Sequence, residues 1–189
     1  ETGAALGIMG NSVLVASTGV IGQQLPMEKI KEGIKKLAPA LSDSKEEAIH
    51  AAEAIMTTDT VPKQVAVEIE VGGKTAYIGG MCKGAGMIHP NMATMLCFIT
   101  TDVNIDKALM QEALSSIVKN TFNMISVDGD TSTNDTVLVL ANGLCGNDKI
   151  TVKNEDYKTF YEALNYIMEE LSKKIAGDGE GATCLFEVK

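Results

Sequence analysis

The chain predicts a mixed α/β fold, and three observations carry that expectation. Segments with period-two apolar alternation interleave along the chain with segments of helical 3.6-residue spacing. Gln64 to Val71 alternates, Gly72-Gly73 can turn the chain, and Thr75 to Ile78 returns, which is a β-hairpin and excludes a purely parallel sheet. The 189 residues are enough for one domain with a real hydrophobic core.

Taken in order, Val13-Leu-Val-Ala16 reads as a short buried strand ending at Ser17-Thr18-Gly19. Pro26 to Leu37 reads as a helix, because proline suits a first turn and Ile30, Ile34 and Leu37 share one face. Ser44-x-x-Glu47 is a capping box that opens a second helix through Ala48, Ala51, Ala52 and Ile55, ending near Thr57-Thr58-Asp59. After the hairpin comes a glycine-rich loop, then a strand over Met95 to Ile99. Ile105 to Val118 is a helix with Leu109, Met110, Leu114, Ile117 and Val118 inward, and Thr136 to Ala141 is a strand after a polar loop. Tyr157 to Ile175 is a long helix, with Tyr157, Phe160, Tyr161, Leu164, Ile167, Met168, Leu171 and Ile175 at helical spacing. Cys184 to Val188 closes the chain as a strand, and no repeat or low-complexity linker interrupts it.

Composition narrows the function classes. The formal net charge is −9 and no run of Lys or Arg occurs, so the basic footprint of a nucleic-acid surface is missing. No apolar run approaches a membrane span, and Glu1-Thr-Gly-Ala-Ala-Leu-Gly-Ile has neither the basic nor the apolar region of a secretion signal. The cysteines at 82, 97, 145 and 184 form no Cys-x-x-Cys pair, which fits reduced thiols in a cytoplasmic protein. With only His50 and His89 available, a structural zinc site is not expected.

The most informative stretch is Lys83-Gly-Ala-Gly-Met-Ile-His-Pro-Asn-Met-Ala-Thr-Met-Leu-Cys-Phe-Ile-Thr-Thr-Asp102. A loop of Gly, Pro and Asn runs into a strand that begins at Thr94, with small Ala93 before it. If the Ala93–Thr94 bond broke, Thr94 would carry both a hydroxyl nucleophile and a free amine to activate it. Such an amine has a reference pKa of about 7.7–8.0, near working pH, and needs no histidine. His50 falls mid-helix, as a surface histidine would, and His89 lies five residues before Thr94. Ser17-Thr18-Gly19-Val20-Ile21-Gly22 follows a strand and contains glycine, so its N–H groups can approach an oxyanion. Read alone, the first segment is also an ordinary strand after a loop and the second an ordinary strand-ending turn. In the loop Ser126 to Thr136, carboxylates at 128, 130 and 135 suit a divalent cation. Asp128-Gly-Asp130 faintly resembles the nucleophile loop of haloacid-dehalogenase-type phosphatases, but Ser132 departs from that pattern and Asn123-Met-Ile-Ser-Val is a poor version of its strand.

Both Lys83–Asp102 and Val13–Gly22 resemble the ornithine acetyltransferase (glutamate N-acetyltransferase) family of arginine biosynthesis, and the likeness extends over essentially the whole chain. The resemblance implies a layered α/β/β/α sandwich of the N-terminal-nucleophile type, self-cleavage between Ala93 and Thr94, and Thr94 as nucleophile. It places the oxyanion role on the Thr18 side chain and the Gly19 N–H. It assigns substrate contacts to Thr57, Lys83, Thr94 and Glu180, the last within Gly177-Asp-Gly-Glu-Gly-Ala-Thr183. The implied reaction is ping-pong acetyl transfer from N-acetylornithine to glutamate, without a metal or organic cofactor, with acetyl-CoA left open as an alternative donor. The resemblance further implies a heterotetramer of two α and two β chains. Family members are longer, so residues 1–189 are expected to form one incomplete domain, 1–93 ending the α-chain part and 94–189 beginning the β-chain part. Three alternatives remain at this stage: an N-terminal-nucleophile amidase or aminopeptidase, a magnesium-dependent phosphatase using Asp128 and Asp130, and an inert fragment.

Overall fold

A computed structural model describes residues 1–20, 22–88 and 95–188. They fall into two compact units, Glu1–Ala51 and Ala52 onward. The expected residues His89, Ala93 and Thr94 lie outside the described residues.

The first unit is helical. It contains α1 (Thr2–Leu6), α2 (Met27–Leu37) and most of α3 (Lys45–Ala54). Pro26 sits at the N-cap of α2, Glu28 lies in its first turn and Lys35 and Lys36 in its last, the polarity the helix dipole favours. The Ser44 hydroxyl accepts the Glu47 N–H at 3.2 Å, so the anticipated cap opens α3. The strand expected at Val13–Ala16 does not form. Val13 has extended dihedrals (φ −92°, ψ 120°), but the stretch has no ladder partner among the described residues, and Leu14 and Val15 are exposed. An extended segment becomes a strand only when a neighbour takes up its N–H and C=O groups.

The second unit holds one four-stranded sheet in the order β1-β2-β3-β4 among the described residues. Strands β1 (Lys63–Val71) and β2 (Lys74–Lys83) form the expected antiparallel hairpin, with Val71 opposite Lys74. Gly72 and Gly73 both have positive φ (56° and 69°), the twist a two-residue hairpin turn demands. β2 continues five residues beyond its expected end at Ile78, through Gly79-Gly80. Gly80 has its reason in the close approach of a helix: a Cβ there would stand 2.9 Å from Leu171 Cδ1 and 3.2 Å from Ile167 Cγ2. β3 (Leu96–Thr101) pairs antiparallel to β2, and β4 (Thr136–Ala141) parallel to β3.

Between β3 and β4 runs α4 (Lys107–Ile117), whose N-cap Asp106 accepts the Ala108 N–H. The chain then forms α5 (Glu155–Gly177), capped by Asn154 through the Tyr157 N–H at 3.0 Å. α5 packs against β1 and β2, burying Tyr157, Phe160, Leu164, Ile167, Met168, Leu171 and Ile175. Full burial of such a side chain stabilises by about 1.5–3 kcal/mol, so this face fixes the helix on the sheet. The fold is mixed α/β, with antiparallel and parallel pairs in one sheet. The strand expected at Cys184–Val188 is absent: these residues have no ladder partner among the described residues, and Leu185, Phe186 and Val188 are exposed. No described helix is long and apolar enough to cross a membrane.

Candidate active site

Three of the sequence-predicted substrate residues, Thr57, Lys83 and Glu180, come together around the loop that leaves β2. Lys83 is the last residue of β2 and only 4% exposed, far from the surface lysine its loop position would suggest. Next in the chain, the Gly84 N–H donates to Asp59 Oδ1 at 2.7 Å, while Asp59 Oδ2 accepts the Thr57 N–H at 3.2 Å. One buried carboxylate thus joins the turn carrying Thr57 to the loop beginning after Lys83. The other side of the loop is fixed from the end of α5. The Glu180 N–H donates to the Ala85 carbonyl at 2.7 Å, and a Cβ on Gly86 would meet the Glu180 carboxyl at the same distance. Any side chain at 86 would displace that carboxylate.

Charge in this cluster is set by burial and by neighbours. Burial lowers the pKa of the Lys83 ammonium; Asp59 opposes that, Lys63 adds to it, and Glu180 and Asp135 oppose it more weakly. Burial raises the pKa of Asp59, but hydrogen bonds from the Gly84 N–H, Lys63 and the Thr57 N–H outweigh it and leave the carboxyl below its ordinary value. A cation at 83 and a carboxylate at 180, brought to opposite sides of the loop after β2, complement the carboxylate and ammonium of an α-amino acid.

The loop 126–136 binds Met87 and Ile88 on one side of residues 89–94 and Met95 on the other. On the near side, Asp128 accepts the N–H groups of Met87 and Ile88, the latter at 2.8 Å, and that of Asp130 at 3.1 Å. Ile88 returns its carbonyl to the Val127 N–H at 2.7 Å, and Met87 takes a positive φ of 57°. On the far side, buried Met95 donates its N–H to Asp135 Oδ1 at 2.9 Å. Asp135 Oδ2 is buried with no hydrogen-bond partner among the described residues, and burial pushes this carboxyl up to about 6. Asp128 and Asp135 thus take up backbone N–H groups beside this loop. Asp128 is committed to backbone N–H groups, and no set of metal-binding side chains is gathered among the described residues.

Thr18 and Gly19 belong to the first unit, where Thr18 is half-buried and Gly19 exposed. His50 is exposed on α3 beside Glu47. Cys82 and Cys97 face each other across β2 and β3 as buried free thiols. Burial pushes Cys82 up to about 12 and Cys97 well above its ordinary value, so neither is a nucleophile.

Sequence reasoning missed Asp59, Lys63 and Asp178. Lys63 carried a signal: it stands in the inward phase of β1, with Val65, Val67, Ile69 and Val71, where a lysine must be buried and paired.

Comparison with known proteins gives these features a family. The chain belongs to the ArgJ family, which matches it over residues 1–189. The arginine biosynthesis bifunctional protein ArgJ of Geobacillus kaustophilus is 56% identical over 97% of this chain, and that of Symbiobacterium thermophilum 57% identical over 98%. The chain spans less than half of these relatives, 44% and 46% of their lengths. A crystal structure of arginine biosynthesis bifunctional protein argJ from Bacillus halodurans is 56% identical, with a TM-score of 0.44 over 46% of this chain and 40% of that one.

Proposed function

We propose that the protein containing this chain transfers an acetyl group from N-acetylornithine to glutamate through an acetyl-threonine at Thr94, exposed by self-cleavage after Ala93. The observation that carries this reading is the convergence of Thr57, Lys83 and Glu180 on the loop that follows β2, where Asp128 binds the Ile88 N–H and Asp135 the Met95 N–H. The name shared by relatives more than half identical to this chain supports the arginine-biosynthetic role.

In the processing step, the Thr94 hydroxyl attacks the Ala93 carbonyl, the peptide nitrogen becomes the free amine, and water releases the ester. In the first half-reaction, that amine accepts the hydroxyl proton as the oxygen attacks the acetyl carbonyl. The Thr18 hydroxyl and Gly19 N–H donate to the oxyanion. Collapse breaks the amide bond, and the departing ornithine nitrogen takes the proton. Glutamate then repeats the sequence in reverse, its amine attacking the ester and regenerating the threonine. Lys83 binds the substrate carboxylate and Glu180 the ammonium. Each bond change is served by these residues and the two substrates; acetyl-CoA would enter as an alternative donor to the same threonine. The active assembly is two α and two β chains in the cytoplasm.

Intact-mass analysis of a full-length protein carrying this sequence tests the reading. Two chains are expected, the second beginning Thr-Met-Leu-Cys, and N-acetylornithine should add one acetyl group to it. Thr94→Ala should abolish both events. An active protein that stays a single chain, or a label on Lys83 or a cysteine, would overturn the proposal. An ester hydrolysed by water as fast as by glutamate would point to an amidase instead.

A further inference from the structure

Lys63 is 1% exposed at the first position of β1, and it is the hub of a buried ionic triad. Its ammonium donates to Asp59 Oδ1 at 2.7 Å and also reaches Asp178 Oδ2. Asp59 and Asp178 side chains are 0% and 9% exposed, so the three groups meet away from water. The remaining partners of both carboxylates are backbone N–H groups and one hydroxyl. Asp59 takes the N–H groups of Thr57 and Gly84; Asp178 takes the N–H and hydroxyl of Thr60.

These partners come from three distant places in the sequence, and each place carries one proposed substrate residue. The turn before β1 carries Thr57. The exit of β2 carries Lys83, one residue before Gly84. The end of α5 carries Glu180, two residues after Asp178. Without Lys63, two buried carboxylates would face each other, and their repulsion would drive the turn and the end of α5 apart.

We propose that Lys63 is a positioning residue which, through Asp59 and Asp178, sets the separation of Thr57, Lys83 and Glu180 and so the fit to both amino-acid substrates. This deepens the acetyltransferase reading and rests on it. Lys63 touches no reacting atom; it fixes the frame on which the binding groups stand.

The test compares Lys63→Met, Lys63→Arg and Asp178→Asn in a full-length protein carrying this sequence. KM for N-acetylornithine and for glutamate should rise about tenfold or more in Lys63→Met, while kcat per acetylatable site stays within about threefold. Lys63→Arg, which keeps the cation, should recover most of the loss. Asp178→Asn, which leaves Lys63 paired with Asp59, keeps the test open if Lys63→Met does not fold, and should raise both KM values several-fold. A triad that only stabilises the fold would lower the amount of active protein and leave KM unchanged in the folded fraction; that result overturns the proposal. Amide exchange at Gly84 and Thr57 in the same variants gives a readout free of catalysis, and it should speed up at both. Lys83→Ala is run in parallel. If it leaves KM unchanged, the substrate role of Lys83 falls, and the triad is judged on exchange alone, where unaltered protection at Gly84 and Thr57 overturns it.

Discussion

At Asp135 one carboxylate oxygen holds the Met95 N–H and the other is buried without a described partner. Burial raises this carboxyl from 3.8 to about 6. A carboxyl with a raised native pKa binds its proton more tightly folded than unfolded. Its contribution to stability is therefore complete below pH 3.8 and is lost as pH rises through about 6. Asp135→Asn keeps an oxygen for Met95 and cannot ionise. In urea titrations from pH 4 to 7, wild type should lose stability relative to Asp135→Asn as pH rises; parallel curves would refute the assignment. Little of this was legible in sequence. Asp135 stands in a polar loop among other carboxylates, and its burial beside Met95 and Lys83 arises only in the fold. Lys63 was legible in principle from its inward phase on β1, but its partner Asp178 lies 115 residues away. Pairings at that distance follow from the packing of α5 on the sheet. Thr57, Lys83 and Glu180 are named as substrate residues through resemblance alone, because a helix-end threonine and two loop charges carry no periodic signal.

Among the elements, helices were legible where strands were partly not. A helix satisfies its own hydrogen bonds, so apolar spacing and a cap residue suffice to outline α2, α4 and α5. A strand is half of a pair, and alternation says nothing of its partner. That is why Val13–Ala16 and Cys184–Val188 looked like strands and are unpaired among the described residues. The opposite error shortened β2, whose second half contains Gly79-Gly80 and so lacks strand propensity. Gly80 is explained by α5. Gly80→Ala would place a methyl 2.9 Å from Leu171 Cδ1 and 3.2 Å from both Ile167 Cγ2 and Ile99 Cγ1, and overpacking of this kind destabilises by about 1–3 kcal/mol. Gly73→Ala meets nothing within 4 Å, but its φ of +69° is strained for alanine. Denaturant unfolding should therefore find both variants less stable, with only Gly80→Ala changing the environment of α5, as read by the chemical shifts of Leu171 and Ile167. A Gly80→Ala protein as stable as wild type would show that α5 does not press on β2.

In the molecule as a whole, the hydrophobic core lies in one place. Its buried members run from Val71 to Ile175, all within the second unit. In the first unit, Leu6, Met9, Leu14, Val15 and Leu37 are exposed. Amide exchange follows the free energy of local opening, which tracks buried apolar contact. The slowest amides should be those of β2, β3 and the buried face of α5, while residues 1–51 exchange faster by orders of magnitude. Uniform protection across both units would contradict this distribution. The mixed α/β class was legible from alternating periods, and the hairpin from its glycine pair. The parallel pairing of β3 with β4 was not, since the direction of a strand pair is decided by the path of the intervening chain.

That order of strands bears on the proposed scission. The bond between residues 93 and 94 lies in the connection between β2 and β3, which are side-by-side partners from Ile78 opposite Thr101 to Lys83 opposite Leu96. β1 and β2 precede the bond, while β3, β4 and α5 follow it, and α5 lies across β1 and β2. Breaking it would nick the molecule without dividing it. The two polypeptides would remain interwoven through the β2–β3 pairing and the packing of α5 on β1 and β2, and neither could leave with an intact core. A denaturing gel should show two bands where gel filtration shows one particle, and mild dilution should not separate them. The new amine would arise between two strands already paired, so the nucleophile would be made after folding.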